Sequence, residues 1–284
     1  MKTPNTRKNP SILLMIAGAK GAVGSTVAAA VSALADAPET ILPYLTTFRR
    51  FSPCLSSSQF QMAGWDIDPK SLGKALEQNG VLPDFAWKNH PDLINSIPVR
   101  DPLLSGLKPR DRIQKLKKDM DDFKTSHPGA QPVFINLLPA GRHPGIKKLE
   151  DLYHLDPETA DGIPDLFYAV AAADSRIPVV NFTPNPIMLP GFAELASKRK
   201  IPIAGRDGKT GQTYLKVVLA SALKERAFDV AGWYSLNLLG NADGKNLMNP
   251  EKAAGKLANK TSVLDEILFP SKKKHGIPPF HKVH

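Results

Sequence analysis

The segment from residue 12 to residue 38 constrains the fold more than any other part of this sequence. Ile12 to Ala17 is a short, continuous apolar run, which is typical of a buried strand in a parallel sheet. A glycine-rich loop follows, and the alanine-rich stretch from Ser25 to Ala35 predicts a helix that ends before Pro38. A strand, a glycine loop and a helix in this order are the usual opening of a nucleotide-binding α/β domain.

The loop itself spaces Gly18, Gly21 and Gly24 as GxxGxxG. Glycines let the backbone turn tightly and approach a pyrophosphate, and the start of the helix offers free N–H donors. The loop is also compatible with the deviant P-loop of partitioning ATPases, which requires a lysine where Ser25 stands, and with a glycine turn that binds no ligand. The dinucleotide interpretation assigns the cofactor contacts to Gly18, Gly21, Ala22, Val23, Gly24, Ser25 and, as the acid for the ribose, Asp66.

Two later segments also have the character of buried parallel strands. Residues 132–138 and 177–182 are mostly apolar, and Asn136 and Asn181 lie near their predicted carboxyl ends. Helices are predicted at 110–124, 164–174 and 190–200, and a short strand at 201–204. This pattern predicts an α/β chain with a Rossmann-like, doubly wound parallel sheet, in which ligands bind at the carboxyl edge.

The character of the sequence changes near residue 186. We therefore predict two domains, with the parallel sheet in residues 1–185 and an α+β domain in residues 186–284. The second domain has a polar loop at 205–213, a strand at 229–236 and a lysine-bearing helix at 251–260 that continues to 268. A helix after the polar loop has an apolar stripe, which ordinarily faces a core. The stripe consists of Leu215, Val218, Leu219, Ala222 and Leu223.

Positive charge is concentrated in the second domain. The chain has a net charge of +10, of which residues 186–284 contribute +8. Such a surface attracts anions, and a phosphorylated substrate, nucleic acid or plain solvation are all compatible with it. Because no nucleic-acid motif is present and aromatic residues make up only 7% of the chain, we expect no nucleic-acid partner.

Two features bear on location. The single cysteine, Cys54, cannot form an internal disulfide, which favours a reducing compartment. The longest apolar run, residues 12–19, is far shorter than the ~20 residues of a membrane-spanning helix. We expect a cytoplasmic protein without a membrane partner.

Polar residues in the second domain have the spacing of a phosphate and proton-transfer site. Thr210 is a plausible N-cap, and the helix start behind it presents N–H groups of the kind that bind phosphate. Lys256 and Lys260 are four residues apart and share one face of the predicted helix. Two ammonium groups beside a pocket have lowered pKa values and suit the polarisation of carbonyl groups. The same spacing is equally compatible with two solvated surface lysines.

Residues 205–268 resemble the core signature of the myo-inositol-1-phosphate synthases, especially their prokaryotic branch. The resemblance rests on residues 205–213 (GRDGKTGQT), 239–247 (LGNADGKNL) and 256–263. Residues 64–67 (GWDI), 168–172 (YAVAA) and 181–184 (NFTP) fit the same family, as does the glycine loop, although Lys20 stands where the family commonly has glycine.

The resemblance implies an enzyme that converts D-glucose 6-phosphate to 1D-myo-inositol 3-phosphate with NAD held throughout, as a step of inositol and phospholipid biosynthesis. The family reaction comprises an oxidation, an enolisation, an intramolecular aldol closure and a reduction. The resemblance implies that Thr210, Gly211, Gln212 and Thr213 cradle the substrate phosphate and that Asn241 and Leu247 also contact substrate. It implies catalytic roles for Lys256 and Lys260, with Asp207 and Asp243 orienting those lysines or substrate hydroxyls, and a homotetramer assembled through the second domain. We predict no metal ligands.

The sequence departs from the family at its end. Residues 280–284 are similar to the start of a family strand that normally continues and then returns to the nucleotide-binding domain with further catalytic lysines. We therefore expect that this returning segment is absent. The alternatives are a fragment, a chain completed by a partner, or a non-catalytic relative that binds NAD or a sugar phosphate.

Overall fold

A computed structural model of the chain describes residues 11–36, 60–139, 146–208 and 212–228, together with residues 230, 233, 267 and 268. Six parallel strands form one sheet in these residues. They are β1 (Ile12–Ala17), β2 (Phe60–Trp65), β3 (Val99–Arg100), β4 (Gln131–Asn136), β5 (Val179–Asn181) and β6 (Ile203–Ala204). The order across the sheet is β3-β2-β1-β4-β5-β6. This order reverses direction between β1 and β4, as in doubly wound folds that bind dinucleotides.

Eight α-helices connect and extend the strands in the described residues. They are α1 (Ala22–Asp36), α2 (Leu72–Asn79), α3 (Pro91–Ser96), α4 (Pro109–Ser126), α5 (Pro157–Asp161), α6 (Pro164–Asp174), α7 (Phe192–Arg199) and α8 (Gln212–Glu225). None of them is both long and apolar enough to cross a membrane. The parallel sheet confirms the predicted α/β class, whereas most of the predicted α+β segment lies outside the described residues.

The strongest local patterns are confirmed closely. The strand at 12–17 and the helix at 164–174 have the predicted bounds, and α4, α7, β4 and β5 overlap their predicted ranges. The first helix begins at Ala22 rather than at Ser25, so that Gly24 lies inside its first turn. The strand of the second predicted domain, β6, pairs in parallel with β5. The sheet therefore runs past residue 186, and the division into two domains remains a prediction.

Two apolar clusters cover the two faces of the sheet. One joins α4 and α6 to the strands, and α6 is buried from Asp165 to Ala173. Its centre is aromatic: the rings of Phe134 and Tyr168 stack with centroids 5.7 Å apart, and Trp65 meets Tyr168 edge-on at 5.2 Å. Burial raises the pKa of Tyr168 well above its usual value, so its phenol is a neutral core group. The other cluster packs α1, α2 and α3 against β1 and β2.

A buried arginine ties α4 to the segment before α6. Arg112 is 1% exposed, and it donates to the carbonyl of Leu107 at 2.8 Å, to that of Pro157 at 2.9 Å and to Asp161 at 2.6 Å. Burial works against the charged form of Asp161. The hydrogen bonds from Arg112 and Ser105 outweigh this effect, so the pKa of Asp161 lies below its usual value. Asp161 is thus ionised and paired in the folded chain.

Asp161→Asn is expected to lower the free energy of unfolding by about 1–2 kcal/mol at pH 7, because a buried guanidinium loses its charged partner. A carboxyl with a lowered folded pKa stabilises the fold above its unfolded pKa of about 3.9, and this stabilisation is lost as the pH falls through the folded value. Urea titrations at pH 7 and pH 3 should show a difference from wild type that shrinks in acid. Asp84→Asn, which removes the exposed pair with Lys88, is the control and should change little.

The apolar stripe predicted on the helix after residue 212 does not face the core. Leu215, Val218 and Leu219 of α8 are 57%, 47% and 49% exposed, and this part of the prediction is wrong. The packed side of α8 instead contains Lys216 and Ala220, which are one turn apart and buried.

Candidate functional site

The glycine loop between β1 and α1 is docked onto the carboxyl end of β2. The backbone N–H groups of Gly18 and Ala19 both donate to the carbonyl of Trp65, at 3.0 and 3.1 Å. The next N–H, that of Lys20, donates to the carboxylate of Asp66 at 2.7 Å. Because β1 and β2 are adjacent parallel strands, their carboxyl ends meet at one edge, and the loop bridges them there.

Glycine is needed at the three loop positions for different structural reasons. Gly18 has φ +84°, and a Cβ there would lie 3.0 Å from the carbonyl oxygen of Leu137. A Cβ on Gly24 would lie 2.5 Å from the carbonyl oxygen of Gly18, so glycine is what allows α1 to approach the strand end. Gly21 is exposed and has only one neighbour, at 3.4 Å, so its missing side chain leaves backbone open to a ligand.

The first turn of α1 points its free N–H groups out of this loop. Gly21, Ala22 and Val23 are exposed, and the first N–H bonded within the helix is that of Ser25, to the carbonyl of Gly21 at 2.9 Å. Unpaired N–H groups at a helix start, next to an exposed glycine, suit an anionic pyrophosphate. The residues present therefore fit a dinucleotide phosphate, and Gly18, Gly21, Ala22, Val23 and Gly24 lie together as predicted.

Ser25, which was also assigned to the cofactor, lies in the first turn of α1. Its side chain is fully buried, it accepts from the Asn79 amide at 3.0 Å, and its Oγ lies 3.4 Å from the carbonyl of Ala22. The hydroxyl therefore anchors α1 to the end of α2, and its use is structural in this arrangement. A contact of Ser25 with cofactor remains a prediction for its backbone alone.

Asp66 lies where the dinucleotide interpretation requires an acid. It directly follows β2, and its two carboxylate oxygens accept from the N–H groups of Lys20 at 2.7 Å and Asp68 at 3.0 Å. Each oxygen keeps a further lone pair for a ribose hydroxyl. Ile67, which is 80% exposed, adds an apolar surface beside it. The distance of Asp66 from the glycine loop in sequence is thus bridged by the pairing of β1 with β2.

Two residues of this edge were missed by sequence reasoning. The Lys20 ammonium donates to the carbonyl of Asp68, and the Asn79 amide donates to the carbonyl of Lys20 at 3.0 Å. Both contacts join segments 48 or more residues apart in the chain. The replacement of the family's glycine at Lys20 was the one signal available, and nothing in the sequence pointed to Asn79.

The two predicted asparagines meet at the carboxyl ends of β4 and β5. The Asn136 amide donates to the side-chain oxygen of Asn181 at 3.0 Å, and both side chains are buried. Thr183 donates to the same oxygen at 2.9 Å, and the amide of Asn185 holds the carbonyl of Pro139 at 3.0 Å. This network fixes the loops after the two strands, so the asparagines act as a buried scaffold for the edge.

The first residues of the predicted substrate loop come to the same edge. Gly205 has φ +83°, and a Cβ there would lie 2.3 Å from the carbonyl oxygen of Asn181. The N–H of Gly208 donates to the carbonyl of Phe182 at 3.1 Å. Asp207, between them, is half-buried. The loop at 205–208 therefore lies against the end of β5. Further along the chain is α8, whose first turn includes Gln212 and Thr213.

Most of the predicted catalytic set lies outside the described residues. This applies to Thr210, Gly211, Asn241, Asp243, Leu247, Lys256 and Lys260, and to the strand predicted at 229–236 apart from residues 230 and 233. In the described part of the chain, no group of three or more His, Cys, Asp or Glu residues could hold a metal ion. The described site is therefore an edge formed by the glycine loop, Asp66, the asparagine network and the loop at 205–208.

Three features define a Rossmann-like α/β fold of the dinucleotide-binding class. They are the strand order, the glycine loop beside β1, where that order reverses, and the acid after β2. Comparison with known proteins finds a similarity to one family. The model of the myo-inositol-1-phosphate synthase family matches residues 211–283. The resemblance that the motifs indicated is thereby confirmed.

Individual relatives agree with the family model. An inositol-3-phosphate synthase of Bacteroides thetaiotaomicron is 29% identical over 78% of this chain and 56% of its own length. The inositol-3-phosphate synthase of Saccharomyces cerevisiae is 26% identical over 78% of this chain and 47% of its own. The chain spans about half the length of the curated relatives it matches.

A solved structure gives the same fold. The crystal structure of inositol-3-phosphate synthase from Caenorhabditis elegans matches 97% of this chain and 65% of that chain, with a TM-score of 0.79 and 20% sequence identity. At this identity the match concerns the fold, and it supports the Rossmann-like assignment of the sheet.

Proposed function

We propose that this chain binds NAD at the carboxyl edge of its sheet and serves the conversion of D-glucose 6-phosphate to 1D-myo-inositol 3-phosphate. The observation that carries the proposal is one juxtaposition. The glycine loop and Asp66 lie at the same sheet edge as the loop at 205–208, which leads into the segment matched by the family model. A cofactor loop and a substrate loop at one edge are what a redox reaction on a bound sugar phosphate requires.

The described residues support binding and orientation. The N–H groups at the start of α1 would hold the pyrophosphate, and Asp66 would accept hydrogen bonds from the adenosine ribose. NAD, when bound, supplies a reversible hydride acceptor. Thr210, Gly211, Gln212 and Thr213 would bind the substrate phosphate through a second helix start, that of α8, while Asn241 and Leu247 would contact the sugar.

The proposed chemistry depends on two lysines. Lys256 and Lys260 would stabilise the oxyanions that develop on the substrate and assist proton transfer, and Asp207 and Asp243 would orient them. Every step of an enolisation and an aldol closure places negative charge on a substrate oxygen, which a fixed ammonium group stabilises. We propose that the enzyme works in the cytoplasm, as a homotetramer, without a metal ligand set and without nucleic acid.

A second candidate function is the binding of NAD or a sugar phosphate without catalysis. The described residues support binding by themselves, since the glycine loop and Asp66 lie together at the carboxyl edge of the sheet. The partitioning ATPase is disfavoured by two observations. The Ser25 hydroxyl is buried against Asn79, and β4 ends in Asn136, an amide bound to Asn181, where an acid for Mg²⁺ is needed.

Lys256→Ala is expected to lower the turnover of glucose 6-phosphate at least about a hundredfold, because one preorganised charge that meets the developing oxyanion is lost. Phosphorus NMR of the purified 284-residue chain with NAD and glucose 6-phosphate measures inositol phosphate directly. Lys118→Ala, an exposed lysine of α4, is the control and should turn over at the wild-type rate.

The other outcomes separate the two functions. If product forms equally well with Lys256→Ala, the assigned role of this lysine is wrong. If the wild-type chain binds NAD by calorimetry but forms no product, the non-catalytic function is supported. If it does neither, the dinucleotide proposal fails.

A further inference from the structure

Lys20 forms three hydrogen bonds to segments outside its own loop at the proposed dinucleotide edge. Its N–H donates to Asp66 at 2.7 Å, its ammonium donates to the carbonyl of Asp68, and its carbonyl accepts from Asn79 at 3.0 Å. The residue thus joins the glycine loop to the loop after β2 and to the end of α2. A glycine at this position would keep the two main-chain bonds and lose the ammonium.

The ammonium of Lys20 is bound to the loop after β2, which would contact the ribose of the dinucleotide. Asp66 directly follows β2, and in this fold the acid at that place pairs with a free 2′-hydroxyl, whereas a nearby cation accommodates a 2′-phosphate. Here both kinds of group are present, since the ammonium is bound two residues after the acid.

The charges around this loop balance. Asp66 and Asp68 carry the negative charges, and Lys20 and Lys70 the positive ones. The ammonium of Lys70 lies 3.6 Å from the Asp68 carboxylate and 2.7 Å from the Gln78 side chain, so it is held between the loop after β2 and α2. Lys20 is the cation on the side of the glycine loop. Without Lys20 the other three residues carry a net charge of −1, which would repel a 2′-phosphate.

We propose that Lys20 is a specificity-determining residue of the dinucleotide site. Its ammonium reduces the discrimination between NAD and dinucleotides that carry a 2′-phosphate, and its main chain positions Asp66. The inference rests on the proposed function, because it assumes a dinucleotide on this edge, and it adds that NADP is a ligand of the same site.

The test is the ratio of the dissociation constants for NADP and NAD, measured by titration calorimetry on the full chain at fixed ionic strength. The two ligands differ only in the 2′-phosphate, so a general loosening of the site changes both constants and leaves their ratio in place. Lys20→Met is expected to raise the ratio at least about fivefold, and the effect should shrink at high salt, which screens exposed charges. Lys20→Arg should keep the wild-type ratio.

Two further variants complete the design. Lys74→Met removes an exposed lysine on α2 and should leave the ratio unchanged. Asp66→Asn removes the opposite charge from the same loop, so it should lower the ratio while weakening NAD itself. This variant tests the charge argument even if Lys20→Met fails to fold, which a thermal melt will reveal.

The outcomes distinguish the two levels of the proposal. An unchanged ratio in folded Lys20→Met, with NAD still bound, overturns the role of Lys20 and leaves the proposed function standing. If neither dinucleotide binds to the wild-type chain, the proposed function and this inference fall together.

Discussion

Gly21→Asp is expected to weaken NAD binding by about a hundredfold, or about 2.8 kcal/mol, while the fold stays intact. Gly21 directly precedes α1, so an aspartate there stands at the N-cap position, where its carboxylate accepts from the free N–H groups of the first turn. The same N–H groups are the proposed donors to the pyrophosphate, and the new charge also repels it. The substitution therefore replaces the ligand with a side chain.

The space around Gly21 allows a side chain to be added there without a steric clash. A Cβ there meets only the carbonyl oxygen of Gly18, at 3.4 Å, which is an ordinary contact. Calorimetric titration with NAD gives the affinity, and a thermal melt should show an unfolding temperature at or above that of wild type. Gly21→Ala, which adds the same Cβ without charge, should weaken NAD binding much less than Gly21→Asp does.

A control for the added charge exists elsewhere in the chain. Gly162 is exposed and also has a single carbonyl neighbour at 3.4 Å, but it lies between α5 and α6, on the opposite face of the sheet from α1. Gly162→Asp should leave NAD binding unchanged. Wild-type affinity in Gly21→Asp would contradict the proposed pyrophosphate site.

Gly64→Ala is expected to lower the free energy of unfolding by about 3 kcal/mol or more. Gly64 lies in β2 beside β1, and a Cβ there would sit 2.2 Å from the carbonyl oxygen of Ile16. The strand β1 cannot withdraw, since β2 and β4 hold it on both sides. The added methyl must push β2 away, and with it Trp65 and Asp66, on which the glycine loop rests.

Urea denaturation followed by circular dichroism measures the effect. Gly73→Ala in α2 is the matched control: its Cβ would meet the Asn95 side-chain amide at 3.2 Å, and this amide accepts from the Gly73 N–H at 3.0 Å, but a side chain can shift slightly where a strand backbone cannot. Alanine also favours a helix over glycine by about 1 kcal/mol, which offsets the shift, so this variant should lose much less stability than Gly64→Ala. Equal stability of Gly64→Ala and wild type would show that β1 and β2 are not packed as closely as described.

The segments that were predicted well have one property in common. The strand at 12–17 and the helix at 164–174 are apolar almost throughout, and the structure buries most of their residues. A continuous apolar segment has few alternatives to burial in the core, so its type follows from its own residues. The glycine loop was recognised for a related reason, since its glycines and the strand and helix around it are neighbours in the chain.

The strand β2 was not predicted, although it carries the acid of the site. Its sequence, FQMAGW, does not alternate, and Gly64 disfavours a strand by its intrinsic propensity. The glycine is required there by the close approach of Ile16, which belongs to a strand 48 residues away. A position whose residue type is set by a distant backbone cannot be interpreted from its neighbours in sequence.

On α8 the type of element was predicted correctly, but the buried face was not. Periodicity correctly predicted a helix, but the side that packs contains Lys216 and Ala220, and Leu215, Val218 and Leu219 are exposed. Amphipathicity gives a helix its two faces, and the neighbours available in space decide which face is covered.

The sequence by itself determined the class of fold, the glycine loop and the family resemblance, because each depends on residues that are close together in the chain. Only the tertiary structure decided that Asp66 stands beside Lys20, that Asn136 binds Asn181, and that the loop at 205–208 lies against β5. The physical reason is the parallel sheet, in which neighbouring strands are joined by long connections. Residues that act together at its carboxyl edge are therefore about 45 positions apart in sequence and come together only when the strands pair.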